Sequence, residues 1–147
     1  MLRIHRILIL TGLLLTVGCL PGPTTPVAIP IATKTPSDRV LAFQNPDQVR
    51  TCQVVVVRDQ GILGGACYYA LHINGVFAAR MNPGELVRLY VEPGNLLLKV
   101  SRDPLGKWGC ALWKDSFELQ STIKAGETKS FRMGLKWHGH CYLISSQ

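Results

Sequence analysis

The sequence predicts an all-β protein: an antiparallel β-sandwich of about seven to nine short strands behind an N-terminal signal segment. Three observations carry this expectation. From residue 48 onward, apolar and polar residues repeatedly alternate with period two, the period of a half-buried strand. Turn signals recur about every eight to twelve residues, among them Asn74-Gly75, Asn82-Pro83-Gly84 and Glu92-Pro93-Gly94. Beyond the signal, no stretch of roughly ten residues keeps the 3.6-residue apolar period of an amphipathic helix.

The elements follow in chain order. Arg3, His5 and Arg6 form a short cationic head, residues 7–17 an apolar run, and Gly18-Cys19 closes it. That is the order of an export signal. The run of about 11 residues is too short to cross the roughly 30 Å hydrocarbon core as a helix. A cysteine directly after a small residue resembles the bacterial lipobox. The resemblance implies a diacylglyceryl group, with palmitate-type acyl chains, on the Cys19 thiol and cleavage just before it. The family prefers leucine three residues before the cysteine, whereas Thr16 stands there and Leu15 one step further back. Leu20 is not the aspartate that marks inner-membrane retention in enteric-type bacteria, so the analogy favours the outer membrane. Pro21, Pro23, Pro26, Pro30 and Pro36 then alternate with threonines and almost no charge. Proline removes backbone donors, so this segment reads as a disordered tether. The expected organisation is a signal peptide over 1–18, lipidated cysteine and tether over 19–47, and a sandwich over 48–147.

Within the sandwich, residues 52–57 (Cys-Gln-Val-Val-Val-Val) read as a central strand buried on both faces. A glycine-rich loop over 59–65 follows. Residues 68–73 alternate, with Tyr69, Leu71 and Ile73 on one face and Tyr68, Ala70 and His72 on the other. Asn74-Gly75 signals a type I′ hairpin turn into a return strand over 76–81. Strands over 86–91 and 96–100 come next, the latter with Leu96, Leu98 and Val100 on one face. Residues 108–113 are aromatic-rich, 116–123 read as a strand, and 128–135 set Phe131, Met133 and Leu135 on one face. A turn over 137–140 precedes a last strand from Cys141 to Ile144.

Composition narrows the function classes. Of 147 residues, 129 remain after the first 18, enough for one domain with one core. The formal charge of +7 falls to +5 once Arg3 and Arg6 leave with the signal. The positive residues are scattered (Arg39, Arg58, Arg80 and Lys99 are examples), which reads as solubilising surface, with an anionic envelope polymer as a possible partner. No nucleic-acid motif is present, and no cofactor is implied. With Cys19 accounted for by lipidation, Cys52, Cys67, Cys110 and Cys141 read as two disulfides in an oxidising compartment. Joining Cys52 to Cys67 and Cys110 to Cys141 pairs early with early and late with late. A hairpin around the 59–65 loop would instead set Cys67 opposite Val57, and a Cys52–Cys141 bond would tie the chain ends. Spacing favours the first pairing and leaves the others open.

Residues 54–100 carry a resemblance. A strand ending in arginine (Val54-Val55-Val56-Val57-Arg58), a glycine loop and a hairpin His72-Ile73-Asn74-Gly75 are followed by a polar turn, a strand, Glu92-Pro93-Gly94 and an apolar strand. This order is similar to PEGA-type domains and related bacterial lipoprotein domains. The resemblance implies a small β-sandwich with a binding or structural role at the envelope. Asn95 departs from the usual His or Lys after Pro-Gly.

Candidate chemistry is sparse. His138, His140 and Cys141 are the densest titratable group, with no CxxC or HxxxH spacing to bind a metal. No serine or cysteine sits in a nucleophile motif, so no catalytic residue is assigned. The acids Asp59, Glu85, Glu92, Asp103 and Asp115 lie beside expected turns, as surface acids do. Two regions are candidate contact surfaces: Lys107, Trp108, Trp113 and Lys114 around Cys110, where one tryptophan is expected to pack on a disulfide instead, and Ile62 with Leu63 in the glycine loop, whose other and favoured reading is to fold back over the sandwich end. The sequence-level function is an exported, lipid-anchored, non-enzymatic envelope module that meets membrane lipid through Cys19 and an envelope protein through these loops. The alternative is an inhibitor or immunity-type lipoprotein that blocks an envelope hydrolase with an inserted loop.

Overall fold

The computed structural model describes residues 23–146 except Leu63, Lys107, Trp108 and Trp113. The signal segment and Cys19 lie outside the described residues. Nine strands make two packed sheets. They are β1 (Thr33–Lys34), β2 (Cys52–Arg58), β3 (Tyr69–Ile73), β4 (Val76–Met81), β5 (Glu85–Val91), β6 (Gly94–Arg102), β7 (Ser116–Ile123), β8 (Thr128–Leu135) and β9 (Cys141–Ser146). One sheet has the order β1-β5-β2-β8-β9 and the other β4-β3-β6-β7. The β-sandwich is as the alternation predicts. Its ladders are antiparallel except for β1 with β5 and β2 with β8, which run parallel. Parallel neighbours need a long crossover. For β2 and β8, the intervening chain supplies it by building β5 and the whole second sheet between them.

The inward faces are those the sequence alternation marks. Leu71, Ile73, Leu96, Leu98, Phe131 and Met133 fill the space between the sheets with Val54 and Val56 of β2. Asn74 (φ 50°) and Gly75 (φ 81°) both adopt positive φ, the requirement of the type I′ turn between β3 and β4. By contrast, Asn82-Pro83-Gly84 and Glu92-Pro93 turn corners from one sheet to the other.

The proline-rich segment corrects the expectation of a disordered tether over 19–47. From residue 23 it is a strap bound to the sandwich. Thr24 N donates to Leu135 O (3.0 Å), and Thr25 and Gln60 exchange backbone hydrogen bonds. Val27, with Ile29 and Ala32 beside it, covers Val55, Val57 and Leu86 on the outer face of the five-stranded sheet. β1 then adds to the edge of β5, and Leu41 N and Tyr90 N bond to Ala78 O and Phe43 O across the next stretch. The physical reason lies in β2. Its valines point to both faces, and burying each apolar side chain contributes roughly 1.5–3 kcal/mol, so the outer valines recruit a cover. An extended, proline-rich strand can lie across a sheet without demanding ladder hydrogen bonds.

Gly134 makes room for this strap. A Cβ there would meet the Thr24 hydroxyl and come within 2.8 Å of the Tyr142 hydroxyl. Gly134→Ala is expected to cost about 1–3 kcal/mol through overpacking, read as a lower urea midpoint with an unchanged m-value. A variant as stable as the parent would show that Thr24 does not seat against β8.

Candidate functional site

Three loops gather at one end of the sandwich. β2, β4, β6 and β8 finish there, and β3, β7 and β9 begin there. The 59–68 loop leads from β2 to β3, the 103–115 loop joins β6 to β7, and 136–140 is the turn between β8 and β9. A disulfide between Cys67 and Cys110 (Cα–Cα 5.7 Å) fastens the first loop to the second. It therefore joins the two regions that the sequence marks as contact candidates. Ile62 (82% exposed), Leu105 (71%) and Leu112 (81%) stand out from these loops, and Trp137 (58%) from the third. Lys114 is exposed beside them. The other candidates, Leu63, Lys107, Trp108 and Trp113, lie outside the described residues.

The cysteine expectation is corrected. Cys67 and Cys110 bond to each other, while Cys52 and Cys141 are buried free thiols. Gln53 stands opposite Thr128 at the start of β8, whereas Cys141 pairs with Leu135 at its end. That separation is about eight residues, or roughly 26 Å along a strand, against the 7 Å limit for a bridge. Cys52 and Cys67 are likewise parted by the length of β2. No hairpin forms around the 59–65 loop, because β2 and β3 belong to different sheets.

Arg58 braces the loop end. It is 3% exposed, and its guanidinium donates to Cys67 O (2.7 Å), Met81 O (2.5 Å) and Gly64 O (2.9 Å). Its plane lies 4.2 Å from the Tyr69 ring centre, a cation–π distance. Burial pulls its pKa down to about 10, so it still carries charge at neutral pH. The expectation of a solubilising surface for the arginines and of exposed turns for the acids holds at Arg88 and Glu92 and is corrected at Arg58 and three of the acids. Asp59, Glu85 and Asp103 are buried. Arg132 Nε reaches Asp59 Oδ1 at 3.0 Å, with the Tyr142 hydroxyl also donating to Asp59. Arg39 Nη1 reaches Glu85 Oε2 at 2.8 Å, and Arg80 Nε reaches Asp103 Oδ2 at 2.7 Å. A buried carboxylate keeps its charge only when so paired.

The histidine–cysteine segment does not assemble a reactive centre. His140 Nδ1 lies 3.5 Å from Asp115 Oδ1, and Cys141 N donates to the same carboxylate. Burial pushes the Cys141 thiol up to about 12, the opposite of an activated nucleophile. His72 is far off on the four-stranded sheet, stacked on Phe77 at 4.8 Å. Among the described residues, no three His, Cys, Asp or Glu side chains converge as metal ligands.

A second surface was not legible in the sequence. On the outer face of the four-stranded sheet, a groove of about 640 Å³ is lined by Asn74, Asn95, Leu97, Gln120 and Thr122. A smaller one of about 250 Å³ adjoins it, with His72, Lys99 and Glu118 in a row across β3, β6 and β7. Lys99 Nζ sits 3.2 Å from Glu118 Oε1, and burial, then the Lys99 charge, lowers the His72 pKa. Only the β3-β6-β7 order brings these residues together. No protein family matches the chain, and no curated protein or solved structure does either.

Two outcomes follow from this geometry. Arg58→Lys, a point charge that cannot fork to three carbonyls, is expected to lower unfolding free energy by about 3 kcal/mol. It should also speed reduction of Cys67–Cys110 under native conditions. Unchanged stability would remove Arg58 from this role. The folded state holds the Cys141 proton to about pH 12, while the ordinary thiol value is 9.0. The unfolded chain therefore binds fewer protons between those values, and stability must fall as pH climbs through that window. Urea midpoints of the parent and Cys141→Ala between pH 8 and 11 test this: the parent's slope should be steeper.

Proposed function

We propose that the protein is an exported, lipid-anchored module of the cell envelope that works by binding and not by catalysis. The observation that carries this reading is the disulfide between Cys67 and Cys110, which fixes two loops with exposed apolar residues into one surface. Exposed apolar side chains on braced loops are a contact surface by design, because they cost solubility unless something covers them. The signal-like segment ending in Cys19 and the PEGA-like order of residues 54–100 support an envelope location. A disulfide also belongs to an oxidising compartment.

A second reading, an inhibitor of an envelope hydrolase, rests on the 59–68 loop, which exposes Ile62 and is held by both the disulfide and Arg58. It requires a stoichiometric complex that lowers the hydrolase's activity and is lost in Ile62→Ser.

The first test is intact mass of the protein purified from membranes, beside Cys19→Ala. Lipid-sized mass on Cys19, a gain of two hydrogens on reduction, and two further thiols alkylated only after unfolding are the expected results. An unmodified Cys19 would sink the anchored reading.

A further inference from the structure

We propose that the disulfide-joined loop end is the face this protein lays against the membrane, and that its partner is the anionic lipid surface itself. This rests on the anchored reading above and names what its contact surface touches. Thr24 is bonded to Leu135 at the end of β8, and its Cα lies within 3.2 Å of where a Gly61 Cβ would stand. The described chain therefore starts beside Ile62, at the loop end and nowhere else. Four residues lie between Cys19 and Thr24, a path of five residue steps. Fully extended, five residues span at most about 17 Å. β6, with nine residues, is roughly 30 Å long. An anchored Cys19 thus keeps the loop end beside the bilayer and cannot turn the far end of the strands toward it, and the strap holds Thr24 there instead of paying out a long tether.

The chemistry of that end suits a lipid headgroup boundary. Ile62, Leu105, Leu112 and Trp137 are exposed on three separate loops, and Lys114 and Lys136 are exposed beside them. Apolar residues and tryptophan mixed with lysine favour the interface between headgroups and acyl chains. The acids of the three loops do not oppose this. Asp59 and Asp103 are buried against Arg132 and Arg80, leaving Asp115 against the two lysines. At physiological salt a charge acts over about 8 Å, so these lysines reach an anionic surface only if the end lies against it. The polar groove near Asn74 and Asn95, at the opposite end of the strands, then faces away from the bilayer.

The test uses the full lipidated protein in vesicles of phosphatidylglycerol and phosphatidylethanolamine. An environment-sensitive fluorophore is placed at Leu105→Cys (loop end) or Val76→Cys (Asn74-Gly75 turn), labelled natively while Cys52 and Cys141 stay buried. The expected result is a blue-shifted emission at 105, at least twofold quenched by brominated acyl chains, and no quenching at 76. Adding Lys114→Glu and Lys136→Glu should weaken the quenching at 105 while leaving the fold intact by circular dichroism. Protein that floats with the vesicles but shows water-like emission at both positions would overturn the inference and return the loops to a protein partner. Protein that does not float would overturn the anchored reading, and this inference with it.

Discussion

Arg58 carries a full charge into the interior where the two sheets meet the 59–68 loop. It ends β2 of the five-stranded sheet, yet its three acceptors belong to the loop before β3 and to the end of β4, in the other sheet. Burying such a charge costs several kcal/mol. Three charge-assisted hydrogen bonds of about 1.5–3 kcal/mol each, with the Tyr69 ring, offset it. The geometry leaves little freedom, since a planar fork satisfies three carbonyls only in one arrangement. Removing the arginine would strand those carbonyls. The 59–68 loop, and with it Cys67 and the disulfide, is therefore positioned from inside the sandwich as much as by its own turns.

Around this centre the buried carboxylates are matched in pairs. Asp59, Glu85 and Asp103 each sit against an arginine from a different part of the chain, and each also accepts from a hydroxyl or a backbone N–H: Tyr142, Asn82 and Leu105 respectively. The pairs tie β8 to the end of β2, the strap to β5, and β4 to the loop after β6. The Tyr68 ring lies between the Arg39 and Arg80 guanidiniums, at 5.0 and 5.3 Å. This end of the molecule is tied by ion pairs beneath and carries exposed apolar side chains and lysines above. Braced loops hold exposed side chains in place, so a contact there loses less conformational entropy than a loose loop would.

The strands from β2 onward, their inward faces and the Asn74-Gly75 turn were legible in the sequence, and so was the burial of β2 on both faces. Period-two alternation and turn chemistry are local properties, and residues two apart report them without knowledge of any neighbour. The strap was misread for the same reason. Pro26, Val27 and Pro30 look like a solvated linker until Val55, Val57 and Leu86 are known to need a cover. Ile62 and Lys114 are exposed, although local pattern leaves the Ile62 loop free to fold back over the sandwich end.

What tertiary structure alone decided were the relations between distant strands. Cys67 meets Cys110 because β3 pairs with β6, setting the start of one beside the end of the other, as Tyr69 opposite Arg102 shows. Spacing favoured nearer partners, since nothing in a sequence states which strands are neighbours. The same order aligned His72, Lys99 and Glu118, and the packing of the two sheets turned scattered arginines into interior ties. Local pattern was enough to mark two-faced β-strands behind an apolar N-terminal run ending at Cys19. The sheet order decided which cysteines bond, which charges are buried and which loops share a surface, because those depend on through-space distances that local periodicity does not encode.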